Sequence, residues 1–111
     1  MKRWPLISPN AEPNQRNKTQ KLTWTEPAIA DRLAIYEWLE LKNPAAAAEN
    51  DAKIADAAAR LVHHPASGKT GRIAGTRELV ISPSYLLVYE WAAQRVIVLA
   101  IVHTRRRWPS A

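Results

Sequence analysis

Gly75-Thr-Arg-Glu-Leu-Val-Ile81, Tyr85-Leu-Leu-Val-Tyr-Glu-Trp91 and Arg95-Val-Ile-Val-Leu-Ala-Ile-Val102 are three β-rich apolar runs, parted only by Ser82-Pro83-Ser84 and Ala92-Ala93-Gln94. Runs of this length joined by connections of about two to five residues fold as an antiparallel meander. The last run is apolar from Val96 to Val102, so it reads as a central strand covered on both faces. It delivers His103, then Arg105, Arg106 and Arg107, to the point where the sheet ends. A titratable imidazole beside three guanidiniums suits chemistry on phosphate or docking on an acidic partner.

Upstream of the meander, Lys21-Leu-Thr-Trp24 reads as a short strand, and Thr25 with Pro27 as a helix start. Ile29, Leu33, Tyr36 and Leu39 then recur at helical spacing and form the expected inward stripe. Asn43-Pro44 ends this helix and opens a second, running to about His63 with Ile54, Ala58, Leu61 and Val62 inward. Its many alanines favour helix and close approach. Pro65 ends it, and residues 66–75 form a loop with three glycines and the basic Lys69 and Arg72. The order βααβββ predicts an α+β domain: a two-helix hairpin packed on an antiparallel sheet of about four strands, with the first strand along an edge.

One domain accounts for the length of 111 residues, assigned to 21–111. Residues 1–20, with Pro5, Pro9 and Pro13 and little apolar content, read as a flexible arm. The chain has no cysteine, which removes disulfides and thiolate metal sites. The first residues lack a signal-peptide core and no apolar run reaches spanning length, so a cytoplasmic protein is expected. The net charge of +6 divides as +3 over residues 1–20, −2 over 21–60 and +5 over 61–111. The meander and tail therefore present the basic, partner-facing surface, fit for nucleic acid or an acidic protein segment.

Several pieces then fall into one ordered set. They are Leu22-Thr-Trp-Thr-Glu-Pro-Ala28, Asp31-Arg-Leu-Ala-Ile-Tyr36, Asn43-Pro44, Pro65, Gly71-Arg72, Gly75-Thr-Arg-Glu-Leu-Val80, Tyr85-Leu-Leu-Val-Tyr89 and Val102-His-Thr-Arg-Arg-Arg-Trp-Pro109. This set resembles the RelE/ParE superfamily of bacterial toxins from type II toxin–antitoxin modules, over roughly residues 21–109. The resemblance implies a βααβββ fold, growth inhibition by the free protein, and neutralisation by a cognate, acidic antitoxin. It implies one of two targets. ParE-like members, whose Gly-Thr-Arg-Glu-Leu and His-x-Arg-Arg-x-Trp-Pro forms this chain shares, poison DNA gyrase. RelE-like members cleave mRNA on the ribosome without metal. Glu90 and Ala100 stand where basic or polar residues are frequent, which leaves a third reading: a degenerate, non-toxic binding partner.

Metal-free RNA cleavage needs a proton carrier and stabilisation of charge on the phosphate. His103, Arg77 and Arg105 are the candidates, Arg77 on a strand able to neighbour the last one. The alternative readings are a strand-closing His103 and an Arg77 paired with a helix carboxylate. Lys69, Arg72, Arg106, Arg107 and Trp108 are the candidates for contact with a target or nucleic acid. Glu78 alternates with Arg77, so the two point to opposite sheet faces. Tyr85, Tyr89 and Trp91 share one strand face and read as core. His63-His64 diverge by about 100° on a helix, so no metal site is assigned, and no cofactor is expected. The balance of Lys53 and Arg60 against Glu49, Asp51 and Asp56 on the second helix leans toward a protein target.

Overall fold

The computed structural model describes residues 19–105 and Trp108, where the apolar runs pair as one sheet against a helical hairpin. The elements are β1 (Lys21–Trp24), α1 (Glu26–Lys42), α2 (Pro44–His63), β2 (Lys69–Thr70), β3 (Arg77–Ser82), β4 (Tyr85–Ala92) and β5 (Arg95–His103). Strand order is β1-β5-β4-β3-β2. The meander of β3, β4 and β5 is antiparallel as expected, and β5 lies inside the sheet, between β4 and β1. The α+β architecture stands, with two corrections to the sheet.

First, β1 runs parallel to β5, from Lys21 opposite Arg95 to Trp24 opposite Val98, so the sheet is mixed. No hairpin turn links these strands, so local sequence sets no direction for β1. Second, the glycine loop folds back on β3 as the two-residue β2, giving five strands. A strand that short carries no periodicity. The arm falls outside the described residues except for Thr19 and Gln20, and Arg106 and Arg107 also lie outside them. Gln20 is buried in the domain: its N–H donates to the Val62 carbonyl, and its side chain accepts from Trp91 Nε1 at 3.1 Å. Among the described residues no helix is long and apolar enough to cross a membrane.

The helix ends follow their capping chemistry. Thr25 caps α1, with its hydroxyl accepting from Ala28 N–H, and Pro27 occupies the first turn. Asn43 closes α1 and caps α2, its Oδ1 accepting from Ala46 N–H. On α2 the buried face is Ala47, Ile54, Ala57, Ala58 and Leu61, close to the expected stripe. On α1 the expectation holds only in part: Tyr36 and Leu39 are half-buried. Ile29 and Leu33 are 53% and 56% exposed, and the inward face is built on Ala28 and Ile35. Apolar residues lie nearly all round this helix, so periodicity does not choose a face. The small Ala28 does, because it lets the helix settle against β5 where Thr25 already binds.

The two helices are joined by a bidentate pair. Arg32 donates to Asp51 at 2.6 and 2.9 Å while its guanidinium stacks 5.1 Å from the Trp24 ring centre. The hydrogen bond from Arg32 holds the Asp51 carboxyl below the usual carboxylate range, with burial opposing. A depressed folded value means the pair stabilises above the unfolded Asp value, about 3.9, and ceases to do so as pH falls through the folded value. Both side chains are about a third exposed, so solvent screening limits the contribution. Asp51→Asn is expected to cost about 0.5–1 kcal/mol at pH 7. In urea unfolding across pH, the gap between variant and wild type should close below about pH 4.

Candidate functional site

The sheet has a helix face and an open face, and one irregularity in β5 decides which residues reach each. Val96 and Val98 point to the helices, and strict alternation would send Ala100 and Val102 there too. The register instead jumps: Tyr89 opposes Val98, and Val88 opposes Ala100, leaving Leu99 as an extra residue. This is a β-bulge. Beyond it Ile101 returns to the helix-side core, while Leu99, Ala100 and Val102 gather with Val88 on the open face. His103, two residues on from Ile101, thereby shares the helix side with its register partner Tyr85.

There, at the end of the sheet, α1 and the β4–β5 ends enclose a cleft of about 630 Å³. Ile35, Trp38 and Ile101 give it apolar walls, and Asp31, His103 and Arg105 a polar rim. The Tyr85 and His103 rings meet edge to face, with centroids 5.2 Å apart. Nδ1 of His103 accepts from the Arg105 N–H at 3.1 Å, so the neutral ring carries its proton on Nε2. Burial pushes the Tyr85 hydroxyl above its ordinary value, so it stays a neutral phenol at physiological pH. Trp38 is 55% exposed and has the Lys42 ammonium 4.9 Å from its ring centre. An apolar hollow with a proton-bearing ring and a guanidinium at its lip can seat an apolar anchor beside an acidic or phosphate group.

His103 and Arg105 are thus together, but Arg77 is not with them. Strand β4 lies between β3 and β5, so Arg77 does not neighbour the last strand as expected. Arg77 pairs with Tyr89, four residues along β4 from Tyr85, which is about 14 Å. Its guanidinium donates to the carbonyls of Gly68 (2.8 Å) and Ala66 (3.4 Å) and lies 5.7 Å from the Trp91 ring centre. No helix carboxylate is its partner there; the loop before β2 is.

Strand β2 and the turn after it carry Lys69 and Arg72. Lys69 is exposed on β2. Arg72 is committed on two sides: its backbone N–H donates to Glu78 Oε2 at 3.0 Å, and its side chain approaches Glu78 Oε1 at 3.7 Å and donates to the Trp108 carbonyl at 3.2 Å. Glu78 is 2% exposed on the open face, opposite Arg77 as the alternation requires. Trp108 packs against the patch formed by Val88, Ala100 and Val102, so it covers sheet where the sequence suggested a projecting contact residue. Asp31, Trp38, Tyr85 and Glu78 were not singled out for the site by sequence reasoning. Glu78 left a trace, a carboxylate amid β-branched and leucine neighbours; the others read as ordinary helix or core positions.

Comparison with known proteins bears on this arrangement. The model of the ParE toxin of type II toxin–antitoxin system, parDE, matches residues 22–108. Y4kP of Sinorhizobium fredii is 35% identical over 91 residues, covering 81% of this chain and 94% of that protein. Toxin RelE2 of Caulobacter vibrioides is 33% identical over 86 residues, covering 78% and 97%. Among solved structures, a chain of the chromosomal ParDE TA system from P. aeruginosa shares the fold, with a TM-score of 0.69 at 21% identity over 78% of this chain and 97% of that one.

Tyr89 holds the basic loop from below. Its hydroxyl donates to the Pro65 carbonyl (2.7 Å) and accepts from the Gly68 N–H (2.9 Å), and a Cβ at Gly68 would stand 2.7 Å from the ring. Burial, opposed by the Gly68 hydrogen bond and the Arg77 charge, raises the Tyr89 pKa and keeps the donor in place. Tyr89→Phe leaves a buried donor and an acceptor unmatched, so a loss of about 1–3 kcal/mol is expected in thermal or urea unfolding. Hydrogen exchange should speed up at Gly68 and its neighbours more than in α2.

Proposed function

The chain belongs to the ParE toxin family of type II toxin–antitoxin systems, and we propose that its target is DNA gyrase in the cytoplasm. The observation that carries this reading is the position of Arg77. A metal-free ribonuclease needs its phosphate-binding and proton-carrying groups on one reacting centre. Here β4 separates Arg77 from His103, and Arg77 is spent on the carbonyls of the loop. The acidic balance of the helical half also suits a protein target better than a ribosomal RNA surface.

In this reading the working surface is the basic end of the molecule. It comprises the cleft at His103 and Arg105 and the flank of Lys69, Arg72 and Trp108, with Arg106 and Arg107, which follow in the sequence, as further contact candidates. The cognate partner is an acidic antitoxin, as the toxin–antitoxin system of the structural relative suggests. It would cover this basic end together with the apolar side chains that α1 leaves more than half exposed, Ile29, Leu33, Trp38 and Leu41. The second reading is ribosome-dependent mRNA cleavage, favoured by a proton-bearing His103 beside Arg105.

Induced expression of the full chain in bacteria separates the two. The gyrase reading expects growth arrest with an SOS response, inhibition of gyrase supercoiling by the purified chain, and intact mRNA. Cuts inside codons by primer extension, abolished by His103→Ala, would overturn it. Replacing Arg105, Arg106 and Arg107 together with serine should cost arrest while shifting the melting temperature only a few degrees, since the three follow the last strand in sequence and substitutions outside a core change stability by about 0.5 kcal/mol or less each.

A further inference from the structure

We propose that Asp31 is the positioning residue of the cleft: it ties the free edge of β5 at Ile101 to α1 and so holds His103, two residues on, against Tyr85 and the helix side. The inference rests on the reading of the cleft as the working surface.

β1 flanks β5 only as far as Val98, which frees the backbone groups that β5 turns to that side from there on, and those groups need other partners. In β5 the first turns of α1 supply them. The Thr25 N–H donates to the Val98 carbonyl at 3.0 Å, and its hydroxyl is shared between the carbonyls of Val98 (2.9 Å) and Leu99 (3.3 Å). The freed donor, the N–H of the buried Ile101, is taken by Asp31 Oδ2 at 3.1 Å. Thr25 thus meets the carbonyls and Asp31 meets the amide.

The alternative to the bulge is a regular ladder. Continuing the register from Tyr89–Val98 without a break would set Val88 against Leu99 and Tyr85 against Val102. Every later residue of β5 would change faces. Ile101 would leave the core, and His103 would pass to the open face, away from Tyr85, Trp38 and the cleft. The apolar run does not oppose this slip strongly, because Leu99 through Val102 are apolar at each position. Size does: Ile101 fills the core place that Ala100 would take, and Asp31 fixes that segment to α1 by accepting from its amide. Asp31 acts through the backbone, and its effect is read at the imidazole of His103, two residues on from Ile101.

The test compares Asp31→Ala, which removes the acceptor, with Asp31→Asn, which keeps an oxygen for the Ile101 N–H. Proton and carbon NMR of the full chain reads the His103 ring, assigned with His103→Gln. In wild type the ring signals should be displaced by the Tyr85 ring current. Asp31→Ala should lose that displacement and growth arrest, and Asp31→Asn should restore both. Unchanged His103 signals in a folded Asp31→Ala protein would overturn the proposal, whether or not arrest is lost. Loss of the displacement with arrest intact would support the positioning role and instead remove the cleft from the working surface. Should Asp31→Ala not fold, amide exchange of Ile101 in wild type decides. Strong protection, kept in Asp31→Asn, supports the tie; exchange at the rate of an open amide overturns it.

Discussion

The molecule turns on the join between the start of α1 and the bulge in β5. Thr25 serves two masters there, capping its own helix and bonding the carbonyls of Val98 and Leu99. Asp31 adds the Ile101 amide one and a half turns later. With those bonds in place, α1 has a fixed height and direction on the sheet, and its face is chosen by the small Ala28 instead of the larger Ile29 and Leu33. The bulge beside them decides which residues of β5 look into the helix side beyond Val98. Packing, strand parity and the cleft therefore share one origin.

A second set of ties governs the other flank. Tyr89, Arg77 and Glu78 all reach from β3 and β4 into the loop before and after β2, where they bond Pro65, Gly68 and Arg72. Each is a group that could have served chemistry and instead satisfies backbone. Arg72 passes the connection on to Trp108, which lies over the open-face patch. A basic surface built this way presents its charges from fixed backbone. That suits recognition of a folded or folding protein partner, where misplaced charges weaken complementarity.

Much of the fold was legible in the chain. Thr25, Pro27, Asn43 and Pro44 marked the helix ends through capping chemistry that acts within a few residues, and the alanines of α2 faced the core as their pattern indicated. What escaped were features with no local signal. The direction of β1 depends on a partner more than 70 residues away. Uniformly apolar β5 hides its bulge, because an extra residue leaves no mark in a run without alternation. The apolar surroundings of α1 hid its inward face for the same reason. Of the candidate site, His103 and Arg105 line one cleft, whereas the link to Arg77 assumed that β3 could lie next to β5. Strand order is a long-range property, and the meander itself, read strictly, puts β4 between them.

The central claim is that the bulge sets the face of His103, and the cross-strand register of β4 and β5 tests it most directly. Nuclear Overhauser contacts between backbone protons should place Val88 against Ala100, Leu87 against Ile101 and Tyr85 against His103, with Leu99 unmatched. A continuous ladder, with Val88 against Leu99 and Tyr85 against Val102, would contradict the account.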